Sequence, residues 1–383
     1  MDVMFNQVKI GSKELEYVAK ALESGRISGD GPFTKRCHAL LETIYGSSVF
    51  LMHSCTAALE AAVILAGIEP GDEVVMPSYT FVSTANAVVM RGGVPVFVDV
   101  RRDTLNIDET LIEAAITPKT RAIMPVHYAG VGAGMTAICE LAQKHGLTVI
   151  EDAAQGFGST WEGKPLGSLG ALGCLSFHET KNIVSGEGGA LIVNAPDLVD
   201  RAQFIREKGT NRTQFLRREI TKYEWVDIGS SYLPSDILAA VLLAQLEKSE
   251  DINNRRLEIW QKYRSALASL EESGGFQLPA IPQAARHNGH IFHIIAREHA
   301  VQRSMLEGLR ADGVAATPHY VPLHDSVAGR KFSRVSGALD VTNHVAARLF
   351  RLPLHARMSD EQVDFVISRT LARARQFVHG VET

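Results

Sequence analysis

The sequence predicts an α/β protein built on a largely parallel sheet with helices on both faces. Three observations predict it. Short, nearly unbroken apolar runs alternate with segments of helical periodicity between residues 49 and 150. Strands buried on both faces read that way, whereas a half-exposed antiparallel sheet alternates apolar with polar. Polar clusters also fall where the runs end, at 54–56, 78–81, 127–130 and 152–155, and ligands bind beyond the carboxyl ends of such strands.

Composition narrows the function classes. A chain of 383 residues can hold two or three domains and a sizeable core. With 45% hydrophobic and 21% charged residues it reads as an ordinary globular protein. Its net charge of -4 offers no basic stripe for nucleic acid. Cys37, Cys55, Cys139 and Cys174 lie far apart without a C-x-x-C pair, which argues against structural zinc and a disulfide scaffold and for a reducing compartment. The first residues show no basic segment followed by an apolar core, and no apolar run reaches about 18 residues. The expectation is a cytoplasmic protein without membrane insertion and without a metal site.

The elements follow in order. Residues 12–23 place Leu15, Val18, Ala19 and Leu22 on one helical face. Ser28-Gly29-Asp30-Gly31-Pro32 breaks the chain before a second helix over 33–45. A strand over 49–52 runs through His53-Ser54-Cys55-Thr56 into a helix over 57–66. Free N–H groups and the helix dipole at such a turn favour phosphate, and a plain N-cap by Ser54 or Thr56 is compatible with that reading. Strands over 73–76, 94–98, 122–126 and 148–150 then alternate with helices over 83–90, 109–115 and 137–145. Two further apolar runs, 174–177 and 190–193, flank a loop that carries Lys181 and Gly186, Gly188 and Gly189.

Residues 209–224 are polar and weakly periodic, as in a mobile or ligand-covering loop. A helix over 234–247 is expected to continue, with a bend near 249–254, to about 272. Ser273-Gly274-Gly275 marks a boundary. Beyond it the pattern gives an α+β unit with a strand over 290–295 and helices over 301–311, 343–350 and 360–374, the last with a capping box from Ser359 and Gln362.

Lys181 is the centre of the chemistry. Burial between two strands lowers a lysine's pKa and makes the neutral amine available for a Schiff base with an aldehyde cofactor. Taken alone, it reads more readily as a solvated loop charge, the commoner fate of a single lysine. Glu151-Asp152 supplies the second clue. Neighbours on a strand face opposite ways, so one carboxylate can enter a site while the other turns from it. An aspartate beside a pyridine nitrogen keeps the ring protonated and electron-withdrawing. Gln155 can donate to the ring's phenolate oxygen, and Tyr79 or Phe81 can stack on its face, Phe81 being favoured. Two tempting motifs fail. His178-Glu179 is no zinc-protease motif because position 182 is Asn, and Gly186-Glu187-Gly188-Gly189 is no dinucleotide fingerprint because a strand follows it.

SFHETKN followed by GEGG, with EDAAQ, PSYTFVSTANA, SCTAALE and GDGPFTKR, resembles the DegT/DnrJ/EryC1/StrS sugar aminotransferases over nearly the whole chain. The resemblance implies a fold-type I transferase dependent on pyridoxal 5'-phosphate. It implies a mostly parallel seven-stranded sheet in a large domain over 1–248, and a small α+β domain over 249–383. Lys181 would carry the cofactor and shuttle the proton, with Asp152 on the pyridinium and Gln155 on the ring oxygen. Ser176, Cys55 and Thr56 would bind the phosphate. Where a family asparagine reaches the other subunit's phosphate this chain has Ser231, whose contact there would be shorter, water-mediated or absent, and a homodimer with shared sites is still implied. His178 would touch the sugar or serve only as a structural histidine. His319, Tyr320 and His324 would lie near the sugar nucleotide. Arg255 and Arg256 would bind its diphosphate or be solvated helix charges.

KGTNRTQF, WVDIGSSYLPSD, HYVPLH and RLPL resemble the branch that acts on dTDP-4-keto-6-deoxy-D-glucose. For that branch L-glutamate donates nitrogen to C4, leaving 2-oxoglutarate and giving dTDP-4-amino-4,6-dideoxy-D-galactose for surface polysaccharide such as enterobacterial common antigen or lipopolysaccharide. C3 or UDP-sugar chemistry in the same family is the alternative. A sugar dehydratase of this fold would carry histidine in place of Lys181, and a non-catalytic sugar-nucleotide binder would not require Lys181 and Asp152 together.

Overall fold

A computed structural model describes residues 1–377, so the last six residues of the expected small domain lie outside the described residues. Helices α1 (Ser12–Glu23) and α2 (Pro32–Tyr45) precede β1 (Ser48–Met52) and α3 (Cys55–Leu65). The alternation continues through β2 (Glu73–Pro77), α4 (Val82–Met90), β3 (Val94–Val98), α5 (Glu109–Ala115), β4 (Thr120–Ile123), α6 (Met135–His145) and β5 (Thr148–Asp152). A small ribbon of β6 (Thr160–Trp161) and β7 (Lys164–Pro165) leads to β8 (Leu172–Ser176) and β9 (Gly189–Val193).

Next come α7 (Val199–Arg206), α8 (Arg212–Leu216), α9 (Asp236–Leu246), α10 (Ser249–Ala266) and α11 (Ala268–Glu272). The remainder holds β10 (Phe276–Gln277), β11 (Ala285–Arg286), β12 (His293–Ala296), α12 (His299–Ala311), β13 (Thr317–Pro318) and α13 (Val327–Phe332). β14 (Arg334–Val335), α14 (Asp340–Ala346), β15 (Leu349–Arg351) and α15 (Asp360–Ala374) complete it.

The large sheet has eight strands in the order β1-β9-β8-β5-β4-β2-β3-β14. Seven are those the sequence predicts. The eighth, β14, is two residues long and is pinned by Arg334, whose Nε and Nη2 each donate to a Glu73 oxygen at 2.7 Å. Only β9 runs antiparallel, to β1 and β8 alike. Parallel pairing requires a crossover, usually a helix, and none intervenes between β8 and β9. The amino end of β9 therefore lies at the carboxyl ends of its neighbours.

The pleat divides the apolar side chains between two layers. Met52, Met76, Ile150, Cys174 and Leu191 pack under α3 and α7. Val49, Leu51, Leu175, Ala190 and Ile192 turn to the opposite face against α2 and α9. A second sheet, ordered β10-β12-β15-β13, is antiparallel and forms its own apolar cluster with α10, α12 and α15.

A buried carboxylate locks the first face of this scaffold. Asp236, fully buried in the first turn of α9, accepts from Phe33 N at 3.1 Å and Thr34 N at 2.7 Å, and from the Thr34 hydroxyl at 2.8 Å. It thereby caps α2, whose own N-cap Gly31 has no side chain to offer. A Cβ on Gly31 would stand 2.4 Å from Asp236 Cγ, so only glycine admits the approach.

Several expectations are corrected. The expected helix over 343–350 ends at Ala346, and Leu349–Arg351 form β15 in the middle of the second sheet. Three residues are too few to display a strand's period of two. The expected strand over 290–295 begins only at His293 and reaches Ala296. The long helix breaks at Lys248, with φ -122 and ψ 17, just before the expected bend. The polar stretch 209–224 contains the short helix α8. Among the described residues, no helix is long and apolar enough to cross a membrane.

Candidate active site

Strand ends of the large sheet and the carboxyl end of β15 in the second sheet enclose a cavity of about 400 Å³. Its walls include Cys55, Thr56, Phe81, Asp152, Gln155, Ser176, His178, Lys181, Arg256, His319 and Tyr320, so eleven of the residues singled out in the sequence converge here.

One end of the cavity is the N-terminus of α3. Ser54 is the N-cap, its Oγ accepting from Ala57 N at 3.0 Å, and Cys55 and Thr56 are the first helical residues. β9 approaches this turn so closely that a Cβ on Gly189 would sit 2.4 Å from Cys55 N. Ser176 ends β8 beside it, and Thr56 and Ser83 share a 2.8 Å hydrogen bond between hydroxyls. Free N–H groups, hydroxyls and the helix dipole make this end suited to a phosphate dianion.

Across the cavity, β5 presents its two acids as the pleat requires. Asp152 faces inward. Its Oδ2 accepts from the Thr84 hydroxyl at 2.7 Å, and its Oδ1 accepts from Ala154 N at 3.1 Å. Glu151 faces away and is wholly buried. It accepts from Gly167 N at 2.8 Å, and from Leu169 N and Gly170 N at 2.6 Å each. His127 Nε2 lies 2.9 Å from the same carboxylate, while His127 Nδ1 accepts from Ala133 N, so the ring proton sits on Nε2 and points at Glu151.

Lys181 lies in the loop between β8 and β9. Burial holds its pKa below the usual lysine value, Arg351 lowers it further, and Cys55 and Asp152 oppose the shift. The amine is thus more readily neutral, hence nucleophilic, than that of a solvated lysine. Asn182, next in sequence, fixes the loop: its Nδ2 donates to Asn253 Oδ1 and to Asn288 O, both at 2.9 Å, and its Oδ1 lies 2.8 Å from His290 Nδ1.

Phe81 and Tyr79 differ in placement. Tyr79 is fully buried and donates to His319 O, whereas Phe81 is 57% exposed and lines the cavity. Gln155 Oε1 accepts from Ala129 N at 2.7 Å, leaving its amide to donate to the Tyr320 hydroxyl at 3.2 Å. His178 Nδ1 accepts from Thr180 N, and its Nε2 stands 3.6 Å from Glu187 Oε1 at the cavity wall. The His319 Nδ1 contacts the Tyr128 hydroxyl at 3.1 Å, and burial together with Arg351 keeps this imidazole neutral.

Three expected residues lie elsewhere, and a fourth is otherwise engaged. His324 is outside the cavity, its Nδ1 2.8 Å from the Ser78 hydroxyl. Arg255 ties α10 to α15 through Asp360 at 2.8 Å and also meets Glu258, so it is a surface ion pair and no diphosphate ligand within this chain. Arg256 lines the cavity, but its Nε and Nη2 are spent on Gly289 O and His290 O. Burial pushes its guanidinium down to about 9, which leaves it a cation at neutral pH. Ser231 is exposed and outside this chain's cavity.

Sequence reasoning missed Phe5, Asn6, Thr84, His290 and Arg351, all in the wall. Thr84 and Arg351 stand inside the PSYTFVSTANA and RLPL stretches, and that was the available signal. Phe5 and Asn6 lie in a segment with no pattern. These residues fit pyridoxal 5'-phosphate: an anion-binding helix end, a buried carboxylate, a lysine amine that burial makes more readily neutral and an aromatic side chain all line one cavity. Lys181, Asp152, Gln155, Ser176, Cys55 and Thr56 are the groups that can hold it.

The fold and this donor set define a pyridoxal-phosphate-dependent transferase of fold type I. Residues 8–370 match the model of the DegT/DnrJ/EryC1/StrS aminotransferase family, and the chain belongs to that family. It is therefore a sugar aminotransferase. Among relatives, it is 34% identical over 382 residues to the spore coat polysaccharide biosynthesis protein SpsC of Bacillus subtilis, covering 97% of this chain and 96% of SpsC. The crystal structure of the aminotransferase TlmJ from Streptoalloteichus hindustanus superposes with a TM-score of 0.90 at 30% identity, over 98% of this chain and all of that one. NtdA from Bacillus subtilis, solved with bound cofactor PMP, gives 0.84 at 29% identity over 96% of this chain and 83% of its own.

Proposed function

We propose that the chain moves the amino group of L-glutamate to C4 of dTDP-4-keto-6-deoxy-D-glucose, giving dTDP-4-amino-4,6-dideoxy-D-galactose for a surface polysaccharide. The observation that carries the transfer chemistry is the meeting of Lys181, Asp152 and the α3 N-terminus in one cavity. The branch motifs KGTNRTQF and HYVPLH support the C4 ketone and the dTDP carrier. The relative SpsC, described as a polysaccharide biosynthesis protein, supports the destination.

When bound, pyridoxal 5'-phosphate supplies an aldehyde and a protonated ring that accepts the electrons of a broken C–H bond. Asp152 holds the charge on that ring, and Thr84 and Ala154 N–H hold Asp152. Ser176, Cys55 and Thr56 take the phosphate. Lys181 would anchor the group through its amine, and that amine, when free, would take and return the proton exchanged between the two carbons on either side of the transferred nitrogen. Gln155, whose amide donates to the Tyr320 hydroxyl, would also hold the ring oxygen, and Phe81 would cover the ring face.

A homodimer belongs to this reading. Phe81, at the cavity, and Val82, Met90 and Trp225 are exposed apolar side chains, and a second copy would cover them. Ser231, exposed on this chain, is free for a short or water-mediated contact with the other subunit's phosphate, and the dimer does not depend on it. The domains are taken as 1–248 and 249–383. The site of action is the cytoplasm, where nucleotide sugars and glutamate are both made.

The test is incubation with dTDP-4-keto-6-deoxyglucose and L-glutamate, followed by NMR of the product's ring couplings. The expected product carries an axial amino group at C4, and K181A abolishes both product and the visible cofactor band. A C3 amine, an equatorial C4 amine, or turnover only with a UDP sugar overturns the substrate assignment. A purified protein without the Lys181-dependent band overturns the site.

A further inference from the structure

Beyond β4, residues 127–131 form a buried turn that is held from several sides. Ala129 stands there at φ 58 and ψ 14, a left-handed conformation that costs energy for any residue but glycine. Such strain persists only where the surroundings over-determine it. Gly130 follows at φ 76, and a Cβ on it would strike Asn288 Oδ1. The Asn106 side chain spans the turn, accepting from Tyr128 N at 2.8 Å and donating to Val131 O at 3.0 Å. His127 N donates to Asp152 O at 3.1 Å, and the His127 ring is clamped between Ala133 N and Glu151. From this turn the Ala129 N–H reaches Gln155 Oε1, at 2.7 Å.

We infer that Glu151 and His127 are positioning residues: by clamping this turn they decide which end of the Gln155 amide faces the cofactor's ring oxygen. This rests on the cofactor reading above. A glutamine side chain offers an acceptor at one end and two donors at the other, and a flip about its last bond exchanges them in nearly the same volume. The ring oxygen carries negative charge, so the donor end attracts it and the acceptor end repels it. The Ala129 N–H takes Gln155 Oε1, which leaves the Nε2 hydrogens for the Tyr320 hydroxyl and the ring oxygen. Asn288 pins the backbone of the same residue, its Nδ2 donating to Gln155 O at 2.8 Å. Glu151 thereby serves the site it faces away from. Four N–H groups converge on its two oxygens, from Gly167, Leu169, Gly170 and the His127 ring. Only a carboxylate accepts from all of them. A glutamine in its place would turn an NH2 group toward two donors, and His127 would have to move its proton to Nδ1 and abandon Ala133 N.

The visible cofactor band of the holoenzyme is titrated with pH in wild type, Q155L, E151Q, H127L and H127Q. Hydrogen exchange of the backbone amides over 127–133 and urea midpoints are measured on the same proteins. A donor on the ring oxygen favours the form in which that oxygen bears its full charge, so its loss moves the titration to higher pH. Q155L should move it by about one unit, and E151Q and H127L by about half a unit or more. Exchange over 127–133 should quicken about 10-fold in E151Q and H127L. H127Q, which keeps a donor for Glu151, should shift the band less than H127L. A lower urea midpoint with an unmoved band in E151Q and H127L leaves these residues a structural role alone and overturns the inference. Should those two variants fail to fold, H127Q carries the test, and a band at the wild-type position overturns the inference. An unmoved band in Q155L takes Gln155 off the ring oxygen and overturns it as well, while the cofactor reading stands. A wild-type protein with no visible band removes the cofactor reading and this inference together.

Discussion

The Thr84 hydroxyl donates to Asp152 Oδ2 over 2.7 Å, and a second hydroxyl, that of Thr80, stands 3.0 Å behind it. A buried carboxylate aimed at a ring nitrogen must be both charged and still, and the Thr84 contact helps with each. Thr84→Val conserves shape and removes the donor. Cofactor affinity is expected to fall about 10-fold, the scale of a hydrogen bond to a charged group. Asp152→Asn, which removes the charge itself, should cost far more in turnover. Dialysis of the holoenzyme against buffer of known cofactor concentration measures the first, and equal retention by wild type and Thr84→Val would count against it.

Asp236 links two segments far apart in sequence. Asp236→Ala leaves three donors at the start of α2 without an acceptor inside the fold, and the expected loss is on the order of 3 kcal/mol. Asp236→Asn keeps one acceptor oxygen and should lose less. Urea midpoints give both values. A loss below about 1 kcal/mol for the alanine variant would show that solvent replaces Asp236.

Burial holds the imidazoles of His293 and His355, among others, neutral. The His293 imidazole is pushed down to about 3, with Arg351 adding to the effect, and that of His355 to about 4, with Arg256 adding to it. Both are depressed below the value of about 6.5 in an unfolded chain. The unfolded state therefore binds more protons between those limits. Stability is fully present above pH 6.5 and is lost as pH falls toward 4, by roughly 2 kcal/mol per residue at pH 5. Urea unfolding at pH 7.5 and pH 5 reads the drop, and His355→Gln should remove about its own share. Parallel lines for variant and wild type would refute the assignment.

The chemistry that was legible in the sequence stands at the ends of short apolar runs. Asp152, Ser176 and Phe81 each close or follow a strand, so a strand reading places them on one rim. Lys181 gained its meaning from those neighbours. What was not legible depends on distant partners. Asn182 looks like part of a catalytic motif, yet its amide bonds Asn253, Asn288 and His290 and holds the loop against the second core. Asp236 likewise sits in a motif for a structural reason, capping α2. Arg351 escaped notice because β15 is three residues long and its tail resembles the end of a helix. Arg255 and Arg256 are adjacent in sequence but diverge on α10, one to a surface ion pair and the other to buried carbonyls, and no local pattern separates such neighbours.

The alternation of Glu151 and Asp152 on β5 makes the catalytic centre intolerant of insertion or deletion. Shift the strand one place toward its carboxyl end and Glu151 would enter the ring pocket while Ile150 faced the amides of Gly167, Leu169 and Gly170. The pocket would keep an acid, one methylene too long, and the three amides would lose their acceptor. An indel upstream in β5 would thus silence the chemistry while leaving a carboxylate in the pocket, a failure that composition at the site would never betray.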